Sequence, residues 1–460
     1  MPRKHEFKSL AKLCMKYIKE TIENSKFVGD LPRILKYSDE IVVSSEMSNN
    51  PFHQLPVTVL EEIVLLLTRR QKLTDAKILE HIITPLIQHL SFSLYCDDYL
   101  ILFPKFGNLL ILDLKKTIVG NNSLKSIATY CFKLRWLNLE DCFNVTDNGI
   151  KWLCYGGNYP EMGYGKPRLC KTLQELNVIC TSVTQKGIQV ALRYLFSLKV
   201  LNSYNTFNAL VELAQLAKDS NRPGLFNDKF SISILYTPCD HPISSESIRL
   251  ALSLCNLVNR VAIHATEGLK DSDLLCLLSL NQLYGLRILK SSSKSEITFD
   301  GGVVPLLKHF GKSLGILSFQ HFDSVRISTI AEFCPNLTSL KVNYKARRPL
   351  RGGSSVDNES DILLMKDKLP LFKNLKTLFC EGDIQPDILL CLLSSPLLHR
   401  LVVHYCETFS DEVLQKAADF HGFQNLQMLD LVGCNSVSKR GIEALLSMTC
   451  TGLNDINPGN

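Results

Sequence analysis

A short fragment of the form aliphatic-x-x-aliphatic-x-aliphatic recurs along almost the whole chain, and nothing else in the sequence limits the fold so tightly. In Leu134-Arg135-Trp136-Leu137-Asn138-Leu139 the apolar side chains alternate as a short strand requires. Val145-Thr146-Asp147-Asn148-Gly149-Ile150 then opens an amphipathic stretch that closes at Cys154. The unit is strand, turn, helix, and one such unit cannot bury its own apolar side without a neighbour stacked on it.

The strand recurs at Leu173/Leu176/Val178, Leu314/Leu317/Phe319, Leu337/Leu340/Val342, Leu375/Leu378, Leu398/Leu401/Val403 and Leu426/Leu429/Leu431. Less regular copies stand at Ile87/Leu90/Phe92, Leu109/Leu112/Leu114, Leu198/Leu201, Ile232/Leu235, Val258/Val261/Ile263 and Leu283/Leu286/Ile288, which makes about thirteen units. The helix-start fragment keeps step with them. Thr146, Ser244, Ser410 and Ser438 each lie twelve residues after the first apolar position of their unit, Thr184 lies eleven after, and Thr298 opens the same fragment in its own unit. A hydroxyl at a helix N-cap accepts an otherwise orphaned backbone N–H, while Gly149, Gly187 and Gly441 leave room just inside the turn. Leu73-Thr74-Asp75-Ala76-Lys77-Ile78 repeats that fragment without a clear strand before it, so repeats are expected to begin near residue 60.

Of 460 residues 45% are hydrophobic and 21% charged, an ordinary globular balance, and the repeats predict one elongated domain. Fifty-one basic residues against 45 acidic ones give no polyanion-binding excess, so a nucleic-acid partner is not expected. No apolar run reaches the roughly 18 residues needed to cross a membrane, and no signal core follows Met1-Pro2-Arg3-Lys4-His5-Glu6. The expectation is a cytoplasmic or nuclear protein whose 16 cysteines are reduced thiols. Cys131, Cys170, Cys255 and Cys334 stand three residues before the first strand position of the next unit, and Cys142, Cys406 and Cys434 three after the last. These are repeat positions suited to a small buried apolar side chain, without the two-residue spacing of a zinc site. No metal or cofactor is expected.

The pattern Leu-x-x-Leu-x-Leu-x-x-Cys followed by Val-Thr-Asp-x-Gly-Ile, best kept at Leu134–Ile150 and Leu426–Ile442, resembles the cysteine-containing leucine-rich repeats of many F-box proteins and of the family of the antagonist of the mitotic exit network. The resemblance implies an α/β leucine-rich repeat solenoid over residues 57–453. It would carry a curved parallel sheet on the concave face, helices on the convex face, a short N-terminal helical segment (1–56) and a polar tail (454–460). In that class it further implies substrate selection for ubiquitin ligases, although repeats alone define only a binding surface.

Ahead of the repeats, Ser9 is a plausible N-cap for a helix that places Leu10, Leu13, Cys14, Tyr17, Ile18 and Ile22 on one face. Ser9, Leu10, Cys14 and Ile18 match every constrained position of the box by which substrate receptors bind elongin C. In those receptors the leucine enters a hydrophobic pocket and the cysteine packs beside it, which makes Leu10 the main anchor here. Leu31-Pro32 follows 21 residues after Leu10, a separation similar to that of the cullin box, and Leu35 continues the match, whereas Asp39 stands where another aliphatic residue belongs. The partners so implied are elongin B and C together with a cullin. A second Leu-Pro opens Leu55–Leu66, which looks like the first helix of an F-box and would bind a Skp-type adaptor, but the following residues do not continue that match. A third reading has both helices capping the open end of the repeats.

Residues between the conserved aliphatics are expected to project from the concave face and to hold a protein substrate. Trp136, Asn138, Glu140, Arg260, His264, Lys341, Arg400 and His404 are the candidates, with Phe379, Glu381 and Asp430 beside them. Two longer units, Tyr155–Arg168 and Tyr344–Asp361, are expected to form loops, the second carrying the basic run 345–351. No catalytic constellation emerges: Gly311-Lys312-Ser313 follows a helix, Leu306 stands where a phosphate-binding loop needs glycine, and no Gly-x-Ser-x-Gly elbow is present. The expectation is a non-enzymatic substrate receptor of a cullin-RING ligase, with an interaction scaffold as the rival.

Overall fold

The computed structural model describes residues 55–68, 76–156, 168–219, 230–239, 241–290, 295–344, 371–421, 423–448 and 455–457. The chain divides into two compact units, 1–232 and 233–460, each built on a parallel sheet. In the first unit α1 (Val57–Thr68) and α2 (Ala76–Ile82) precede the five strands β1 (His89–Ser91), β2 (Ile111–Asp113), β3 (Trp136–Asn138), β4 (Glu175–Asn177) and β5 (Val200–Asn202). Between and after them run a 3-10 helix at Asp97–Lys105 and helices α3 (Asn121–Tyr130), α4 (Asp147–Tyr155), α5 (Gln185–Tyr194) and α6 (Thr206–Asp219). The strands lie in sequence order, and Leu112, Leu137, Leu176 and Leu201 pair along the register, each at most 3% exposed.

The second unit carries nine strands, again in sequence order: β6 (Ile234–Tyr236), β7 (Arg260–Ala265), β8 (Gly285–Lys290), β9 (Ile316–Phe322), β10 (Ser339–Tyr344), β11 (Thr377–Glu381), β12 (Arg400–His404), β13 (Met428–Asp430) and β14 (Asp455–Asn457). Its helices are α7 (Ser245–Ser253), α8 (Asp271–Leu274), α9 (Val304–Phe310), α10 (Ile327–Phe333), α11 (Pro386–Leu393), α12 (Asp411–His421) and α13 (Lys439–Met448).

All thirteen strand fragments read from the sequence are strands. Two features differ from the single run of repeats expected over 57–453. The ladder stops at β5 and a new sheet starts at β6. At that break Ser203 stands where Leu139 and Val178 supply the third aliphatic side chain, and its hydroxyl accepts from the Asn205 N–H at 3.1 Å, turning the chain directly into α6. The segment read as a polar tail also contributes a strand, β14, whose Ile456 pairs with Leu429. A single isoleucine between polar residues has no periodicity by which to be recognised.

The helix-start residues act as caps. Thr146, Thr184, Ser244 and Thr298 accept from Asn148, Lys186, Ser247 and Gly301 N–H groups, and Ser410 and Ser438 accept from Val413 and Gly441. A second contact joins successive repeats. The Asp147 carboxylate accepts from the Thr184 N–H at 2.8 Å and from its hydroxyl at 2.6 Å; Asp271 does the same for Thr298 at 2.7 Å each, and Asp411 for Ser438 at 2.8 and 2.6 Å. One repeat earlier Asn121 plays the corresponding part for Thr146, its Oδ1 accepting from the Thr146 N–H at 3.1 Å and its Nδ2 donating to the Thr146 hydroxyl at 3.0 Å. These side chains occupy the space where a Cβ would stand on Gly187, Gly301, Gly441 and Gly149, respectively. The glycine of the helix-start fragment is therefore set by the Asp of the preceding repeat, or at Gly149 by its Asn.

The cysteines close the other end of the strand. None of the fourteen described cysteines forms a disulfide, and all seven repeat-position cysteines are buried. The Cys142 thiol donates to the Leu114 carbonyl at 3.0 Å and Cys434 to the Val403 carbonyl at 3.2 Å, each reaching the third aliphatic position of the repeat before. Two residues past the third strand position the backbone turns left-handed, at Lys116, Asp141, Cys180, His321 and Tyr405 (φ 53–61°) and at Gly382 and Gly433 (φ 89° and 70°).

Candidate docking surfaces

The residues read as an elongin box (Ser9, Leu10, Leu13, Cys14, Ile18) and a cullin box (Leu31, Pro32, Leu35) lie outside the described residues, as do residues 157–167 and 345–370, on which the two expected loops fall. The second Leu-Pro segment is described. Its helix α1 buries Leu60, Ile63, Val64 and Leu67, and the Glu61 carboxylate accepts from the Gln88 and His89 N–H groups at 3.1 and 2.8 Å. Those amides belong to the open edge of the first sheet, so α1 caps the repeats, and the apolar stripe that an F-box reading of Leu55–Leu66 would offer to an adaptor is spent inside the chain.

Side chains between the buried aliphatics stand on the sheet face away from the helices. In the first unit one row along that face is His89, Ile111, Trp136, Glu175 and Val200, and the next is Ser91, Asp113, Asn138, Asn177 and Asn202. Trp136 is half-buried there and available for contact. Asn138 is not: it is only 6% exposed, its Oδ1 accepting from the Glu140 N–H at 3.1 Å. Asp113 and Asn177 make the same turn with Lys115 and Ile179. Glu140 is tied to Lys115 at 2.7 Å and accepts from Asn177 at 3.2 Å. The bond and charge of Lys115 hold its carboxyl below the usual range. Asn138 and Glu140 thus stabilise the turns instead of presenting free groups. The loops beyond these strands expose Ile118, Phe143 and Tyr204, which the strand pattern does not single out.

The second unit carries a longer face. One row reads Ile234, Arg260, Gly285, Ile316, Ser339, Thr377, Arg400 and Met428, and the next reads Tyr236, Ala262, Arg287, Ser318, Lys341, Phe379, Val402 and Asp430. A groove of about 310 Å³ opens on β6–β10, lined by Tyr236, Arg260, Arg287, Ser318, Ser339 and Lys341 among others and by no carboxylate. Gly285 lies in its lining without a side chain, and a Cβ there would stand 3.2 Å from Arg260 Cγ and 3.7 Å from Ile316 Cβ. Arg260 lies over the Tyr284 ring at 5.4 Å. Lys341 Nζ lies 3.8 Å from the Phe379 centroid; burial, then the charge of Arg287, pushes its pKa down, while Glu381 acts in the opposite sense.

Towards the other end of the sheet Phe379 meets the His404 ring at 5.2 Å, and His404 Nε2 faces Asp430 Oδ2 at 3.4 Å. Arg400 is exposed in the first row, between Thr377 and Met428. His264 is engaged elsewhere, its Nδ1 donating to the Thr237 carbonyl at 2.8 Å. Of the candidates in this unit, Arg260 and Lys341 share the groove, Arg400 and His404 lie beyond it, and Arg287 and Tyr236 are additions. Arg287 sits in the irregular unit Leu283/Leu286/Ile288, in the position between two aliphatics that Asn138 and Lys341 occupy in theirs, and that spacing is the signal by which it could have been found.

Among the described residues no group of three or more His, Cys, Asp or Glu side chains could hold a metal ion, and no helix is long and apolar enough to cross a membrane. No family model matches the chain, and no curated protein matches its sequence. Among solved structures, the crystal structure of the Rad7 and Elc1 complex in yeast aligns over 98% of this chain and 98% of the matched chain, at 14% identity and a TM-score of 0.44.

Proposed function

We propose that the protein is a substrate receptor of a cullin-RING ubiquitin ligase, in which residues 9–18 dock on elongin C, residues 31–41 approach a cullin, and the open faces of the repeat sheets hold a protein substrate. The observation that carries this reading is the four-point match Ser9, Leu10, Cys14 and Ile18 on one predicted helix, placed ahead of a repeat array that already has its own cap in α1. A chain that ends its sheet edge with Glu61 and α1 does not need a second amphipathic helix for that purpose. The proposed role requires no catalytic residue: bound substrate is held at high effective concentration near a charged ubiquitin carrier supplied by the ligase.

The test is co-purification of the full chain with the elongin B–elongin C pair and, separately, with a Skp-type adaptor, beside a truncation lacking residues 1–24 and the double variant Leu10→Ser, Cys14→Phe. Elongin retention that vanishes in both variants, with the melting temperature unchanged, is the expected result. Retention of neither partner makes the protein a repeat scaffold, and adaptor binding that survives the truncation returns the docking site to Leu55–Leu66.

A further inference from the structure

The groove on β6–β10 places three cationic side chains together, with no carboxylate among the described residues that line it. Arg287 and Lys341 occupy the same row two strands apart, about 10 Å by strand spacing, and Arg260 lies on the strand next to Arg287, one row over. No described carboxylate stands within ion-pair distance of any of the three. Arg260 and Arg287 are exposed and Lys341 is half-buried; like charges gathered on one face repel one another, and an entering anion relieves that repulsion. Tyr236, Ser318 and Ser339 line the same groove and bring hydroxyl groups beside the cations.

We infer that this groove binds a single phosphorylated serine or threonine in an extended segment of the captured protein. The inference takes from the receptor reading only the source of the ligand. Three cations suit a group carrying about −1.5 to −2 charges and three acceptor oxygens better than a lone carboxylate. Apolar lining from Ile234, Ala262 and Ile316 leaves room for a flanking side chain. A polyanion such as RNA is disfavoured by the rest of the face, where Glu381 on β11 and Asp430 on β13 stand beside a single exposed cation, Arg400 on β12, so the basic character does not continue beyond the groove. Gly285 is the positioning element: it keeps the floor open and lets the Arg260 stem lie across the neighbouring strand.

The experiment passes the full chain over immobilised degenerate nonapeptides centred on phosphoserine or phosphothreonine, with matched libraries carrying serine and glutamate and a single-stranded RNA oligonucleotide as comparisons. Retention on the phosphorylated library at least about tenfold above serine is expected, falling about tenfold or more in Arg287→Ala and in Lys341→Ala. Gly285→Leu tests the groove without removing charge and should abolish retention while circular dichroism stays unchanged. Equal retention on the phosphorylated and serine libraries, preference for glutamate or RNA, no retention at all, or binding indifferent to Arg287→Ala and Lys341→Ala each overturns the inference. Elongin co-purification, read on the same variants, separates the two proposals: its persistence when phosphopeptide binding fails sinks only the groove, and its absence sinks only the ligase assignment.

Discussion

Replacing Gly187 by alanine should weaken the first unit, against the usual rule that Gly→Ala inside a helix gains about 1 kcal/mol. The added methyl group collides with Asp147 Oδ1 and stands 2.8 Å from Val183 Cγ1. Asp147 can retreat only by giving up its two bonds to Thr184, at 2.8 and 2.6 Å. Bonds to a charged acceptor contribute about 1.5–3 kcal/mol each when shielded; Thr184 is exposed, so about 1–1.5 kcal/mol apiece is reasonable. Losing about 2–3 and gaining about 1 leaves a net destabilisation of about 1–2 kcal/mol. The assay is urea unfolding followed by circular dichroism, together with hydrogen exchange at the Thr184 amide, which should accelerate. In an Asp147→Ala background the same Gly187→Ala change should become neutral or stabilising, giving a coupling of at least about 1 kcal/mol in a double-mutant cycle. A rise in the unfolding midpoint of the single variant, or an additive cycle, would refute the inter-repeat clasp.

Two further perturbations test the ends of the repeats. Glu61→Ala strips the partners from the Gln88 and His89 amides and should cost about 1–3 kcal/mol, with faster exchange at those two amides; unchanged exchange there would show that α1 does not cap the sheet edge. Burial raises the Cys255 and Cys334 thiols to about 12 and Cys434 to about 11. Because the folded chain holds these protons more tightly than the unfolded one, their contribution is fully present below the unfolded thiol value and is lost as pH rises from there toward 11 and 12. The urea midpoint should therefore be flat from pH 7 to 8 and fall above about pH 9, with a shallower fall in Cys255→Ala, by up to about 1.4 kcal/mol per pH unit for one thiol. An equal slope in that variant would mean that Cys255 is not the proton donor at issue.

The strands were legible because their signal is local: three aliphatics at fixed spacing bury themselves wherever a neighbour offers the same pattern, and Leu137, Leu176 and Leu201 do so with at most 3% exposure. The caps at Thr146, Thr184, Ser244, Thr298, Ser410 and Ser438 were legible for the same reason. Which strand positions stay accessible was less legible. Asn138 has the spacing of a surface residue, yet its own amide turn holds it down, and Glu140 is taken up by Lys115. Arg287 has the same spacing and remains exposed, because the residues around it in the sheet include no acid to hold it. β14 escaped recognition because one isoleucine is enough for a strand once β13 supplies the edge to pair with.

The sequence by itself determined the unit: a period of strand, turn and helix, capped by hydroxyls and closed by buried thiols. Only the tertiary structure decided why Gly187, Gly301 and Gly441 must be glycine, since the obstructing acid belongs to the preceding repeat, 27 to 37 residues away for the cap that it holds. It also decided which cations converge. Arg260, Arg287 and Lys341 are spread over 81 residues of chain, and parallel strands at a fixed spacing bring them to one groove. Local patterns fix what each segment can bury; what stands beside it is set by the stacking of units, which no single window of sequence contains.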